Sequence, residues 1–239
     1  MADGTWTDAV IDFNAQATAA APITLKARTP GKVILTGTSR LTFSRPYLVA
    51  DGLHFKNGIP AQGNVIDFKT DHCRLTNAAV VDYNPLVPTQ DYYWVYFNGS
   101  HNRVDHSYFK GKNNNQPLVG NDQDDSRYNQ VDYCHFKDIP HSNVNGREIF
   151  RIWGYGRSEE LGDDGSFFTI EYNLFGGCHR HRRPAPDGQT RCRRRRDGCR
   201  ARVSLVWMGR GAEKIQQQSH KQKPRSFSGA GLLFYGCGV

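Results

Sequence analysis

Residues able to do chemistry fall in four places along the body of the chain. Asn145-Gly146-Arg147-Glu148, with Arg151 close behind, offers an amide oxygen, a carboxylate and a guanidinium. Lys112 stands in Gly111-Lys112-Asn113, an ammonium at the head of an asparagine run. Tyr92, Tyr93, Trp94 and Tyr96 could stack on the flat apolar faces of sugar rings. Asp163 and Asp164 are the carboxylates a glycoside hydrolase would need, but neighbours on a strand point opposite ways and flank one bond poorly. Each group also has a plainer account. A lone Asn-Gly is a turn signal. Glu148 and Arg151 read equally as an ion pair on a solvated face. Lys112 reads equally as a surface lysine, and strand alternation buries half of the aromatic run.

Charge divides the chain in two. The 239 residues carry a net +8. Residues 176–239 hold 15 Lys/Arg against three acids, a net +12, with Arg193 to Arg196 consecutive. Residues 1–175 are left with 16 basic and 20 acidic side chains, a net −4. A polyanion-binding inference from basic character therefore applies to the tail alone. Four of the six cysteines are also in the tail, and no C-x-x-C occurs, so neither a disulfide framework nor a zinc knuckle is indicated. Cys178, His179, His181, Cys192 and Cys199 fit no standard zinc module. RCRRRR lacks the interleaved aromatics of a nucleic-acid stacking platform, so nucleic acid is not the expected partner. No apolar run reaches the roughly 18 residues of a membrane span, so no membrane is expected either.

The elements that position these residues are short strands. Val/Ile/Leu/Phe/Tyr runs are punctuated by Pro30-Gly31, Asn57-Gly58 and Asn98-Gly99, and no helical period is sustained. A weak repeat begins at Ala50, Leu75, Val104, Val131 and Ile170. Each copy is an apolar residue, an acid or Thr in most copies, three variable residues, then Phe or Val. Steps in the twenties with one strand motif per turn predict an all-β solenoid, a parallel β-helix, in preference to an irregular sandwich. The longer last step leaves room for a loop, GYGRSEELGDDGS.

Five segments together resemble polysaccharide lyase family 6, which includes alginate lyases and chondroitinase B. They are ADGTW (2–6), PITLKARTPGKVILTG (22–37), YLVADGLHFKNG (47–58), HNRVDHSYFKGKNNNQP (101–117) and NGREIFRIWGYGR (145–157). The resemblance covers residues 2–175 and implies a right-handed parallel β-helix of the pectin-lyase-like kind. It also implies β-elimination on an anionic uronic-acid polysaccharide, alginate foremost, with chondroitin and dermatan as alternatives. In the family, calcium neutralises the uronate carboxylate, a lysine takes the C5 proton and an arginine assists the leaving oxygen. Asn145 matches the calcium-ligand asparagine. Lys112, Glu148 and Arg151 match residues expected to line the substrate groove. The parent family is secreted or periplasmic, whereas MADGTWTDAVIDF has neither a basic start nor an apolar stretch. The resemblance places Met1 inside the family's first coil, so an export signal and N-terminal cap are expected to be missing.

The departures come after Phe175. The family follows E-x-N-x-F with a short acidic strand bearing two glutamate ligands and then the Lys-Ser of the base. This chain reads GGCHRHRRPAPDGQT instead. No residue is therefore assigned as catalytic, and little or no lyase activity is expected. A non-catalytic carbohydrate-binding or scaffold protein on the same β-helix is the rival reading. Residues 176–239 have no apolar ladder, and four adjacent arginines cannot enter a core unpaired. A disordered or poorly packed tail is expected, arising from a reading-frame shift near Gly176. The truncated solenoid would expose a strand edge, giving a monomer or an aggregate. Sequencing the gene through codon 176 is expected to find a base gained or lost. An uninterrupted frame shared by related genes would refute the shift.

Overall fold

The computed structural model describes residues 1–86, 91–122, 126–139, 148–153, 168–176, 199–201 and 231–234, and every element among them is a β-strand. Each turn of chain lays down three strands. The first gives β1 (Gly4–Thr7), β2 (Val10–Phe13) and β3 (Ile23–Lys26). The second gives β4 (Val33–Gly37), β5 (Arg40–Phe43) and β6 (Leu48–Asp51), and the third β7 (Leu53–Gly58), β8 (Ile66–Phe68) and β9 (Arg74–Thr76). Then come β10 (Ala79–Val81), β11 (Val95–Phe97) and β12 (Arg103–Asp105), followed by β13 (Tyr108–Lys110), β14 (Val119–Asn121) and β15 (Gln130–Asp132). The last are β16 (His135–Lys137), β17 (Phe150–Trp153), β18 (Thr169–Glu171) and β19 (Asn173–Gly176). Strands three apart in sequence pair in parallel, so the chain winds into three sheets. β1 leads the first, β2 the second and β3 the third. This is the right-handed parallel β-helix expected.

The repeat read from the sequence is the register of the stack. Ala50, Leu75, Val104, Val131 and Ile170 are partners in the third sheet. Phe55, Val80, Phe109, Phe136 and Phe175 are partners in the first. Between these two columns the chain turns a corner through a left-handed residue: Gly52, Asn77, His106, Tyr133 and Tyr172, with φ of 83°, 51°, 47°, 51° and 52°. A second column of left-handed residues precedes the third sheet: Tyr47, His72, His101 and Tyr128. That conformation costs a non-glycine residue about 1–2 kcal/mol. Ring stacking offsets part of it, since successive centroids lie 5.0, 4.8 and 4.9 Å apart.

Inside, like stacks on like. Phe43, Phe68 and Phe97 are spaced 4.5 and 4.8 Å, and Phe109, Phe136 and Phe175 5.2 and 5.3 Å. Where amides leave the sheets at corners, buried side chains receive them. Asn129 Oδ1 accepts the Asn102 N–H at 2.8 Å, Asn102 Oδ1 that of Cys73 at 2.8 Å, and Asn173 Oδ1 that of Cys134 at 2.8 Å. Cys73 and Cys134 are free, buried thiols. Burial pushes Cys73 up to about 11, so it is no nucleophile at neutral pH.

The end of the stack is formed by two pieces of the tail. β20 (Cys199–Ala201) pairs antiparallel with β19, and β21 (Gly231–Phe234) antiparallel with β17. Both run against the direction of the ladder they join. The remainder of residues 176–239, with its arginine run, lies outside the described residues apart from Gly176 itself.

The acid position of the repeat forms an outer column through Asp51, Thr76, Asp105 and Asp132. Arginines two positions back on the same strands keep the acids from repelling. Arg74 Nε lies 2.7 Å and Arg103 Nε 3.0 Å from Asp105, and Arg103 Nη2 lies 2.6 Å from Asp132. Burial alone would raise the Asp105 carboxyl. Hydrogen bonds from Arg74, Thr76 and His106 outweigh it and hold the carboxyl below its ordinary 3.8. A depressed folded-state value stabilises above the ordinary range, and that stability is lost only as pH falls below 3.8. Asp105→Asn is expected to cost about 2 kcal/mol in urea denaturation at pH 7, the arginines' exposure having reduced the figure for a fully buried pair. The gap to wild type should close as pH drops beneath 3.8. A pH-independent difference would refute this account.

Candidate functional site

The outer face of the second sheet carries the candidate residues. Its outward column reads Asp12, Thr42, Asp67, Tyr96, Gly120 and Arg151, one residue per rung. Rungs are about 4.8 Å apart. The alternate positions, Leu41, Ile66, Val95, Val119 and Phe150, face the core.

Arg151 is held by Glu148. Its Nη2 donates to both carboxylate oxygens at 2.9 Å. The Glu148 side chain is fully buried, and that of Arg151 is 14% exposed. Side chains three apart on a strand would face opposite ways, but Glu148 lies before β17 begins. Its carbonyl accepts the Leu118 N–H at 3.0 Å, keeping that segment on the stack while the carboxylate turns under the guanidinium. The two residues thus pair with each other within one turn, beneath the face.

Lys112 is 3% exposed. Its ammonium donates to Asn114 Oδ1 and the Gln116 carbonyl. Asn114 Nδ2 in turn donates to the Tyr92 carbonyl at 2.9 Å. Tyr92 Oη and Trp94 Nε1 both donate to the Tyr83 carbonyl at 2.9 Å. Lys112 therefore braces the wall behind the aromatic segment.

Alternation sorts the aromatic run. Tyr92 and Trp94 are buried, while Tyr93 and Tyr96 are half-buried on the outer side. Their ring centroids are 4.7 Å apart with planes at 40°. Tyr93 lies over Gly120. A Cβ at Gly120 would overlap Tyr93 Cε1 and come within 2.8 Å of Cδ1 and 3.1 Å of Cζ. Any other residue at 120 would displace the ring. Burial raises the Tyr93 phenol, Arg151 opposes the shift and Glu148 adds to it. Burial also pushes Tyr96 up to about 12, with Asp122 and Asp67 contributing. Both phenols are neutral donors at pH 7 and poor candidates for a base. Nothing in sequence spacing pointed to Gly120, because its role depends on the rung beside it.

Asn145, Asp163 and Asp164 lie outside the described residues, as do Cys178, His179, His181 and Cys192. Among the described residues no three His, Cys, Asp or Glu side chains converge. The nearest carboxylate to Arg151, that of Glu148, has both oxygens on the guanidinium. Calcium takes about six to eight oxygen ligands. The described residues do not fit such a cage.

A sequence profile described as chondroitinase B matches residues 1–181. The chain belongs to the chondroitinase B family. Solved structures of polysaccharide lyase family 6 agree. The chain is 60% identical to a family 6 lyase from Pseudopedobacter saltans, with TM-score 0.71 over 74% of this chain and 41% of that one. It is 32% identical to the family 6 alginate lyase AlyGC, with TM-score 0.63 over 72% of this chain and 24% of that one. A mannuronic-acid-specific family 6 lyase from human gut microbiota is 27% identical, with TM-score 0.65 over 74% of this chain and 42% of that one. The chain thus spans less than half the length of these relatives. No curated protein matches it.

In this family member, replacing Glu148 by Gln leaves a mostly buried guanidinium without its carboxylate. Glu148→Gln is expected to cost about 3 kcal/mol, read as a lower urea midpoint. An unchanged midpoint would show that other groups hold Arg151.

Proposed function

We propose that this chondroitinase B family member engages a uronic-acid polysaccharide, alginate foremost, on the outer face of its second sheet outside the cytoplasm, and that its own elimination chemistry is impaired. Family membership and the alginate and mannuronic-acid specificities of two relatives support the substrate class. Arg151 stands on the outward column of that face as a guanidinium bonded to Glu148, a donor group for a uronate carboxylate. Glu148 sets its position, and protonated Tyr93 and Tyr96 can donate to sugar hydroxyls.

Elimination asks for more: a neutralised carboxylate, a base at C5 and help for the departing oxygen. Calcium, with Asn145 as a ligand, is the cation proposed for the first. For the second, the Lys112 ammonium is a buried donor, and no described lysine stands on the rungs beside Arg151. The observation that carries the impairment is the strand beyond Arg151. The family pattern puts acids and a lysine there, whereas β21 reads Gly-Leu-Leu-Phe and runs antiparallel. The rival reading, a binding protein without catalysis, shares every feature except residual turnover.

With alginate and millimolar calcium, no ultraviolet-absorbing unsaturated ends are expected, while affinity electrophoresis in alginate gels should retard the protein. Rapid calcium-dependent absorbance would overturn the impairment. Saturated reducing ends would make it a hydrolase, and unretarded migration would end the uronan reading.

A further inference from the structure

We propose that Tyr93, seated over Gly120, and Tyr96 beside it form a stacking platform for one pyranose ring of an acidic polysaccharide, with the adjoining sugar's carboxylate directed to Arg151. The proposal rests on the uronan reading above and names a position within it.

A sugar can stack only on an aromatic face that no neighbouring ring covers. The stacked corner rings, Tyr47 to Tyr128, lie nearly parallel to their neighbours in the His72, His101 and Tyr128 portion, at 15° and 13°. The ring faces between His72, His101 and Tyr128 are covered by one another. Tyr93 and Tyr96 differ. They lean at 40° on the flat of a sheet, and Tyr93 rests on Gly120, the rung after Tyr96, which has no side chain to hold the ring off. Two tilted, half-buried rings, one seated on a glycine, make a shallow apolar seat with phenol donors at its rim, the combination that suits a pyranose.

Arg151 sets the direction of the bound chain. Asp67 is on the rung before Tyr96, and Arg151 is two rungs after it, about 10 Å away. Asp122, just past β14, also acts on Tyr96, and Arg151 is paired with Glu148, so the direction rests on the guanidinium as a hydrogen-bond donor and not on net charge. The next sugar therefore runs toward β17, where Glu148 holds the guanidinium in place.

The test uses the whole chain and saturated tetramannuronate, followed by titration calorimetry. Tyr93→Ala and Tyr96→Ala are each expected to weaken binding about fivefold. Tyr93→Phe keeps the ring and should bind within about twofold of wild type. Gly120→Ala leaves both tyrosines intact but should behave like Tyr93→Ala, because it lifts the ring. Tyr128→Ala, on the corner column, should bind as wild type does. Wild-type binding left unaltered by Tyr93→Ala, Tyr96→Ala and Gly120→Ala overturns the platform while leaving the uronan reading intact. Failure of the wild type to bind tetramannuronate overturns both. Should an alanine variant unfold, the wild type decides: upfield shifts of the Tyr93 and Tyr96 ring protons on adding tetramer are expected, and unshifted resonances overturn the platform.

Discussion

Parallel stacking in register sets every residue against its own counterpart one turn away. That is favourable for phenylalanine over phenylalanine and for asparagine taking the amide of the turn before. It is unfavourable for charge, because an acid kept at one position becomes a column of acids. The third sheet meets this with a stagger. Arg74 reaches the acid of the following turn, Asp105, and Arg103 reaches both Asp105 and Asp132. Buried Asp105 is tolerated because it has several donors around it. A conserved spacing alone would pile charge upon charge. The offset lets the stack keep its repeat on this face.

The same constraint explains the candidate site by being relaxed there. On the second sheet the outward column changes identity at each rung, from Asp67 to Tyr96 to Gly120 to Arg151. No residue is repeated, so the column does no structural stacking of its own. Gly120 surrenders its place to a ring from the neighbouring turn. Glu148 lies before its strand, which is what allows it to meet Arg151. Irregularity within an otherwise repeating wall is where side chains become available for a ligand.

Much of the architecture was legible because a solenoid writes its register into the sequence. The hexapeptide repeat beginning at Ala50 proved to be the pairing of the third and first sheets, residue for residue. The earliest turns were less visible. Their spacing is uneven, Trp6 pairing with Leu35 but Leu35 with the much nearer Phe55, and a bulge interrupts the second pair of strands. The site was legible only in residue types. Burial of Lys112 depends on acceptors in its own loop and that of Glu148 on the Arg151 donor; spacing offered the Glu148–Arg151 pair, but not that it would lie buried. Strand alternation did separate Tyr92 and Trp94 from Tyr93 and Tyr96.

A stack of parallel rungs is polar, like any filament with a growing tip. Two of its three columns are closed by segments entering head to tail, β20 upon β19 and β21 upon β17. A further turn, from this polypeptide or another copy, would have to match one reversed template and then another while meeting the original direction on the third. Pairing across such an end is mixed: a turn in the original direction would meet β20 and β21 antiparallel and β18 parallel. The reversal therefore changes how this end can pair, from a uniformly parallel ladder to a mixed one.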